Sequence, residues 1–418
     1  MAYKKYRNVD VVVVGAGLAG HCAAIEAAAS GATVLILERE SQVGGSSILS
    51  GGSFAFAGTS AQQQANIEDS AQRLTNDFLT VGGNRNDPSL VAVYAHNQLD
   101  AYHWLVMRGV EFGPIIAGAG QSVPRLHPAN PREVVRLLSE EISSNPNIEL
   151  LTSARVKRLR RDKLDGHVAS VLLEHDDETV EVCVNAGVIL STGGFSRNEA
   201  MLAEFAPGQA TAKRVGGAGS QGEGLLMAWH LGAGLRDMGY IKGTFGNHPD
   251  AHPTQHTAML GIYKGAIAVN KLGKRFADES ISYKLLGDAC LQQPDSIGFQ
   301  ILDQSIMDQA VPQAPMFDFV QRLNEGRLLK AATIAELAEL IGIDPLALEQ
   351  TVNEYNADIS NGVDHQFGRI GIVQGFGKLT QIKTAPFYAY PSTSAIIATY
   401  CGLTVNDHMQ VLDVFGSP

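Results

Sequence analysis

Long hydrophobic runs are missing from this 418-residue sequence, and no stretch approaches the roughly 20 apolar residues of a membrane-spanning helix. The opening MAYKKYRNVD runs almost at once into an apolar strand pattern, so a secretory leader is not expected. Cysteine is scarce. Cys22, Cys183, Cys290 and Cys401 are scattered and form no C-x-x-C pair, which argues against a zinc site and c-type haem attachment. Free thiols in a reducing cytoplasm are the expectation. Positive charge is outnumbered, with 32 Lys+Arg against 43 Asp+Glu and a net charge of −11, so neither nucleic acid nor an anionic membrane is expected as the main partner. Internal repeats and low-complexity tracts are also lacking. The length allows two or three domains, and the 45% hydrophobic content is ordinary for a globular chain.

What is present is concentrated at residues 9–38, VDVVVVGAGLAGHCAAIEAAASGATVLILE. A strand-like run leads into Gly15, Gly17 and Gly20, an Ala-rich helix follows, and after Gly31 a second apolar run ends on Glu38. Each part has a physical task in binding an adenine dinucleotide. Gly15 permits the tight turn, Gly17 lets a pyrophosphate approach the backbone, and Gly20 lets helix and strand pack closely. The pyrophosphate is expected on the free N–H groups at the helix start, where Leu18 and Ala19 stand, and Glu38 on the ribose hydroxyls, with Arg39 beside it.

Further along, EVVRLLSEEISS (133–144) has the apolar spacing of an amphipathic helix, and Ile148 to Val156 reads as a strand. Residues 157–188 resemble a small antiparallel unit, and Val188 to Leu190 a short buried strand. Ala266 to Val269 reads as a strand, and residues 332–357 as two helices capped by Thr333 and Asp344. The expected fold is α/β. A Rossmann-like dinucleotide domain, with a parallel sheet and a small antiparallel unit, spans 1–245; an α+β cap domain is inserted over 246–397; the chain returns to the first domain at 398–418.

The fingerprint alone does not choose between NAD and FAD. The following loop, GGSSILSGG, resembles the flavin-contacting loop of the flavoprotein family containing soluble fumarate reductases, succinate dehydrogenase flavoproteins and 3-ketosteroid dehydrogenases. STGGFSRNEAML (191–202), GSQGEGLLMAWHLGA (219–233), GAIAVNKLGKRFADE (265–279) and CGLTVNDHMQVLD (401–413) resemble further family elements in the same order, so the likeness spans nearly the whole chain. It implies FAD as cofactor. Gly44, Gly45, Gly51 and Gly52 would keep side chains off the flat ring, and Ser46, Ser47 and Ser50 would offer hydroxyls to its polar edge. Val156, Thr192, Gly193, Gly194, Asn198 and Gly222 are the other cofactor candidates. Membrane-bound relatives carry a flavin-linking histidine in this loop; here Gly45-Ser46-Ser47 stand there, so non-covalent FAD is expected. The resemblance also implies a further flavin-contacting segment, like IPGLYAAGE, beyond the final FGSP.

The same resemblance implies hydride exchange at one carbon and proton transfer at its neighbour. Soluble fumarate reductases place an arginine four positions after the Glu of an RF-x-x-E signature. Here the signature is Arg275 to Glu279, and the fourth position is Tyr283, a tyrosine as in ketosteroid dehydrogenases. Dicarboxylate-holding positions of that family read Ala258-Met259 and Ile397-Ala398. These changes point to desaturation of a C–C bond next to a carbonyl of a small molecule, with electrons passed to an unidentified acceptor. Tyr283 is the expected base; Tyr400 and Gly402 are expected to stabilise the enolate. Arg125 and His127 in VPRLHPANP, and His252, are candidates for substrate contact. They would suit the alternative, a fumarate-reductase-like or tricarboxylate-type enzyme. A truncated, catalytically impaired flavoprotein is the remaining alternative.

Overall fold

The computed structural model describes residues 4–118, 120–163, 166–255, 257–312, 314–373 and 376–418. Strand Val9–Val14, four of whose residues are Val at positions 11–14, is the centre of a seven-stranded sheet. It pairs in parallel with Val34–Leu37 on one side and with the end of Glu178–Leu190 on the other. Val34–Leu37 is fully buried, as expected of a strand covered on both faces, and passes the parallel pairing on to Ile148–Leu151. Helix Leu18–Ala29 packs on this sheet through Ala24, Ile25 and Ala28. Helix Pro131–Ser144, capped by Asn130 with Pro131 in its first turn, packs beside it through Val134, Leu138 and Ile142.

Two expectations change in detail. The segment 148–156 is not one strand: it breaks after Leu151, where Ser153 takes a positive φ of 53°. The amides of Ser153 and Ala154 bond to the carbonyls of Glu40 and Glu38 (2.9 and 2.8 Å), so the chain folds over the end of Val34–Leu37. Residues 188–190 are not a separate strand either. They end the 13-residue strand Glu178–Leu190, whose first half forms an antiparallel ladder with Val168–His175. Parallel and antiparallel parts of the sheet are thus joined by one strand that changes partner along its length.

The second sheet is organised by Phe387–Ile396, which pairs antiparallel with Gly298–Asp303, Leu329–Ala331 and Thr244–Asn247, and in parallel with Lys213–Arg214. Ile267–Asn270 adds to Gly298–Asp303. Helices Ile334–Ile341 and Pro345–Asn361 cover it, bringing Leu337, Leu348, Val352 and Tyr355 onto Ile267, Ile301 and Tyr388 in one core. Their N-caps are Thr333, in a capping box with Glu336, and Asp344, followed by Pro345 at the first helical position. Beneath this sheet Arg275 reaches both Glu279 (Nη2–Oε2 2.7 Å) and Asp364 (Nη1–Oδ1 2.9 Å), with Arg369 joining at Glu279 (3.2 Å), all almost fully buried. Mutual pairing is what makes such a set of buried charges tolerable. Among the described residues no helix is long and apolar enough to cross a membrane, and no group of His, Cys, Asp and Glu could hold a metal ion.

Candidate functional site

The start of helix Leu18–Ala29 opens into a cleft at the C-terminal edge of the parallel strands, where open α/β sheets bind ligands. Gly15 sits at φ +103°, and a Cβ there would lie 2.5 Å from the Ser191 carbonyl oxygen, so both conformation and space demand glycine. A Cβ on Gly20 would fall 2.0 Å from the Gly15 oxygen. Gly17 has ordinary backbone angles, and its missing side chain leaves the helix start bare, without a capping hydroxyl or carboxylate of its own. The Leu18 amide instead donates to Ser47 Oγ at 3.0 Å. Glu38 is nearly buried at the cleft wall, held by the amides of Ala16 (2.8 Å) and Glu40 (2.9 Å), one on each carboxylate oxygen. That orientation leaves further lone pairs for hydroxyls.

Gly15, Gly17, Leu18, Ala19, Glu38, Arg39, Gly45, Ser46, Ser47, Val156, Thr192 and Gly193 all line this cleft. Ser191, Gly217, Gly219 and Ser220 line it too; the first, third and fourth stand in segments that resemble family elements but were not among the cofactor candidates, and Gly217 lies just outside them. Their signal was present: Gly217 and Gly219 extend the glycine loop that precedes helix Glu223–His230. Ser46 Oγ ties that loop to the GGSS loop through the Gly217 amide (3.0 Å) and Ser220 Oγ (3.1 Å). Arg39 makes ion pairs with Glu40 (3.1 Å) and Glu223 (3.0 Å).

Four other cofactor candidates stand behind the wall and shape it. Gly44, at φ +105°, turns the GGSS loop. Gly194 abuts Thr399, where a Cβ would come within 2.0 Å of Oγ1. Asn198 caps helix Glu199–Phe205 through the Met201 amide and holds the Gln221 carbonyl (2.9 Å). Gly222, at φ +77°, opens helix Glu223–His230 against Phe195 and Met201.

A second cavity meets the first at Leu18 and Ser47, so the two form one trough. Ser50, Gly51, Gly52, Phe54, Val134 and Val135 line one side; Thr244, Ala258, Tyr283, Lys284, Met316, Ile397 and Tyr400 line the other. Gly51 approaches Met316 so closely that a Cβ would lie 2.6 Å from its terminal methyl. Ala258 and Ile397, the apolar replacements noted in the sequence, both face this space.

Tyr283 opens helix Tyr283–Leu291, capped by Ser282. Its amide donates to Tyr263 Oη (2.9 Å), which in turn donates to the Ile281 carbonyl (2.8 Å). Lys284 Nζ donates to Thr244 Oγ1 at 2.6 Å and lies 5.2 Å from the Tyr283 ring centroid and 4.7 Å from that of Tyr400. Burial pushes the Tyr283 phenol above its ordinary value and the Lys284 ammonium down to about 8. Tyr400 is half exposed on the open-cleft side, yet desolvation against the cavity wall, and then the neighbouring Tyr283, raise its phenol too.

The remaining candidates lie elsewhere. Gly402 sits opposite Arg236 in a two-stranded ribbon and lines a separate outer cleft, of which Tyr400 forms the shared wall. Arg125 is fully buried and holds Asp69 (Nη2–Oδ1 2.8 Å) and Asp77 (Nη1–Oδ2 2.5 Å). His127 is buried among Phe54, Phe56, Tyr102 and Phe112, with its nitrogens on Thr59 Oγ1 and the Arg125 carbonyl (both 2.8 Å); burial lowers its pKa. His252 is exposed and bonds Thr254 Oγ1 (2.8 Å). None of these three reaches the trough.

The trough fits FAD: a glycine cradle at the helix start for the pyrophosphate, Glu38 for the ribose, and an inner portion lined by Ser47, Ser50, Gly51 and Gly52 for the flat ring. A family model described as "FAD binding domain" matches residues 10–418. A urocanate reductase of Eggerthella lenta is 31% identical over 427 residues, covering 98% of this chain and 68% of that protein. Among solved structures, the open conformation of a flavocytochrome c3 fumarate reductase superposes with a TM-score of 0.82 at 26% identity, over 99% of this chain and 72% of that one. A 3-ketosteroid-Δ4-(5α)-dehydrogenase from Rhodococcus jostii RHA1 shares the fold, with a TM-score of 0.75 at 24% identity, covering 100% and 89%. The glycine cradle, the bare helix start and the family match together make this chain an FAD-dependent oxidoreductase of the FAD-binding flavoprotein family that includes fumarate and urocanate reductases.

Proposed function

We propose that this protein reduces a carbon–carbon double bond conjugated to one electron-withdrawing carbonyl or carboxyl group, with Tyr283 as the proton donor. Bound FAD supplies the hydride. The observation that carries the direction is the similarity to a urocanate reductase, 31% identical over 98% of this chain. A phenol is protonated at neutral pH with or without this shift, and burial, which raises the Tyr283 pKa, makes it a weaker acid and its phenolate a stronger base, so burial alone does not set the direction. Desaturation needs the phenolate; reduction needs the phenol.

The residues divide the work as follows. Leu18, Ser47 and the glycines at 51 and 52 bound the space for the ring and its reacting face. Tyr283 gives its proton to the carbon next to the activating group. Tyr400 and Lys284 face the oxygen that gains negative charge during the reaction, in place of the Gly402 amide. Phe54, Val135, Met316 and Ile397 keep water out, which strengthens each of these interactions. The electrons come from a donor outside this chain. Desaturation of a cyclic ketone is the second reading, and the Lys284 ammonium beside the Tyr283 ring favours it, because a cation there stabilises phenolate.

The test is anaerobic. FAD-loaded protein is reduced with a viologen and mixed with conjugated unsaturated acids and ketones, and reoxidation of the flavin is followed. Tyr283→Phe is expected to slow reoxidation by about 10²–10⁴-fold while leaving substrate affinity nearly unchanged. An unchanged rate in that variant removes Tyr283 from the mechanism. Bleaching of oxidised flavin by saturated cyclic ketones, without reoxidation by any unsaturated compound, selects the second reading.

A further inference from the structure

The inner cavity has one ammonium and, among its described lining residues, no carboxylate. Lys284 Nζ gives one N–H to Thr244 Oγ1 and stands against the faces of Tyr283 and Tyr400. The acidic group one turn further along its helix, Asp288, is engaged by Lys242 and by Gln209 Nε2 (2.9 Å). Lys284 is therefore a desolvated cation with no anionic partner among the described residues, in the space proposed for the reacting molecule. Such an arrangement is costly for the empty protein and favourable to whatever brings the missing charge.

We propose that Lys284 sets the charge of the substrate, pairing with the single carboxylate of a monoanionic unsaturated acid whose remainder is apolar and flat. The inference rests on the reading of this cavity as the place of C=C reduction. One cation answers one negative charge. A second carboxylate would be forced against Phe54, Val134, Met316 or Ile397, walls that offer it no cationic partner. A neutral ketone or amide would leave the ammonium unanswered. The lowered proton affinity of Lys284 agrees with this picture, since burial is its cause and no neighbouring charge offsets it. A bound carboxylate would restore it.

The experiment measures binding without turnover. FAD-loaded protein is titrated with 3-phenylpropionate, its amide, and phenylsuccinate, none of which has a reducible double bond, and perturbation of the visible flavin band reports occupancy. The monoacid is expected to bind at least about 10-fold more tightly than the amide, the low end for a hydrogen-bonded charge pair, and more tightly than the diacid. Lys284→Met should abolish that preference by weakening the acid alone, and Lys284→Arg should keep it. Equal binding of acid and amide, tighter binding of the diacid, no binding of any of the three, or unchanged acid affinity in Lys284→Met overturns the proposal. The retained flavin band shows that each variant is folded. A monoacid preference in a protein that reduces no unsaturated acid would sink the proposed reaction but not the anchor; turnover without charge preference would do the reverse.

Discussion

At the scale of single residues, a desolvated ammonium has a cost in stability. Burial pushes the Lys284 ammonium down to about 8 in the folded chain, against 10.5 ordinarily, so it gives up its proton earlier as pH rises. Between those values the unfolded chain carries more protons, so stability rises with pH across that window, and below it the full penalty is present. Lys284→Met removes the penalty. Its thermal midpoint at pH 7 is expected to exceed that of the parent by about 1–2 °C, with the difference fading as pH approaches 10, as calorimetry across pH would show. Arg125 makes the opposite case. It was a substrate candidate by sequence, yet Asp69 and Asp77 consume its guanidinium in the interior. Arg125→Ala should cost about 3–5 kcal/mol in urea denaturation, because two carboxylates lose their partner, while FAD affinity stays within about twofold. A large loss of ligand affinity with intact stability would reverse that assignment.

At the scale of elements, the glycines of the first turn separate folding from cofactor binding. Gly15 and Gly20 are constrained by the protein itself, through a positive φ in one and a neighbouring carbonyl in both. Gly17 is not: a methyl there would sit 3.4 Å from Ser47 Oγ, at ordinary backbone angles. Gly17→Ala should therefore change unfolding free energy by less than about 0.5 kcal/mol, yet weaken FAD by at least tenfold in fluorescence titration. Gly20→Ala should fail in both. This motif was legible in the sequence because its residues are contiguous and each answers a local steric demand. The helix caps Thr333 and Asp344 were legible for the same reason. Segments 148–156 and 188–190 were misjudged because strand limits depend on partners distant in the chain: Glu38 and Glu40 turn the first, and Val168–His175 extends the second.

At the scale of the whole molecule, the trough runs between the parallel sheet and the sheet built on Phe387–Ile396, so FAD bound in it would contact segments far apart in the chain, from Gly15 to Ser220 and on to Tyr400. FAD should stabilise the protein as a unit, by about 2.7 kcal/mol at a free concentration one hundred times its Kd, raising the thermal midpoint accordingly. With Gly45-Ser46-Ser47 where covalent relatives carry a histidine, acid precipitation should leave the yellow colour in the supernatant. Flavin that remains with the precipitate would contradict non-covalent attachment.

By itself the sequence determined the cofactor and the family. Backbone geometry at a nucleotide site is set by neighbouring residues, and Gly15, Gly17, Gly20 and Glu38 state it within one stretch. It also led to the expectation that a tyrosine, Tyr283, stands where a fumarate reductase has arginine. Tertiary structure decided what surrounds that tyrosine. Charge and burial are properties of three-dimensional neighbourhoods, and only folding set Lys284 between Tyr283 and Tyr400, moved Arg125 and His127 into the interior, and desolvated the phenol. That environment, absent from any linear motif, is where the proposed proton transfer from Tyr283 would take place.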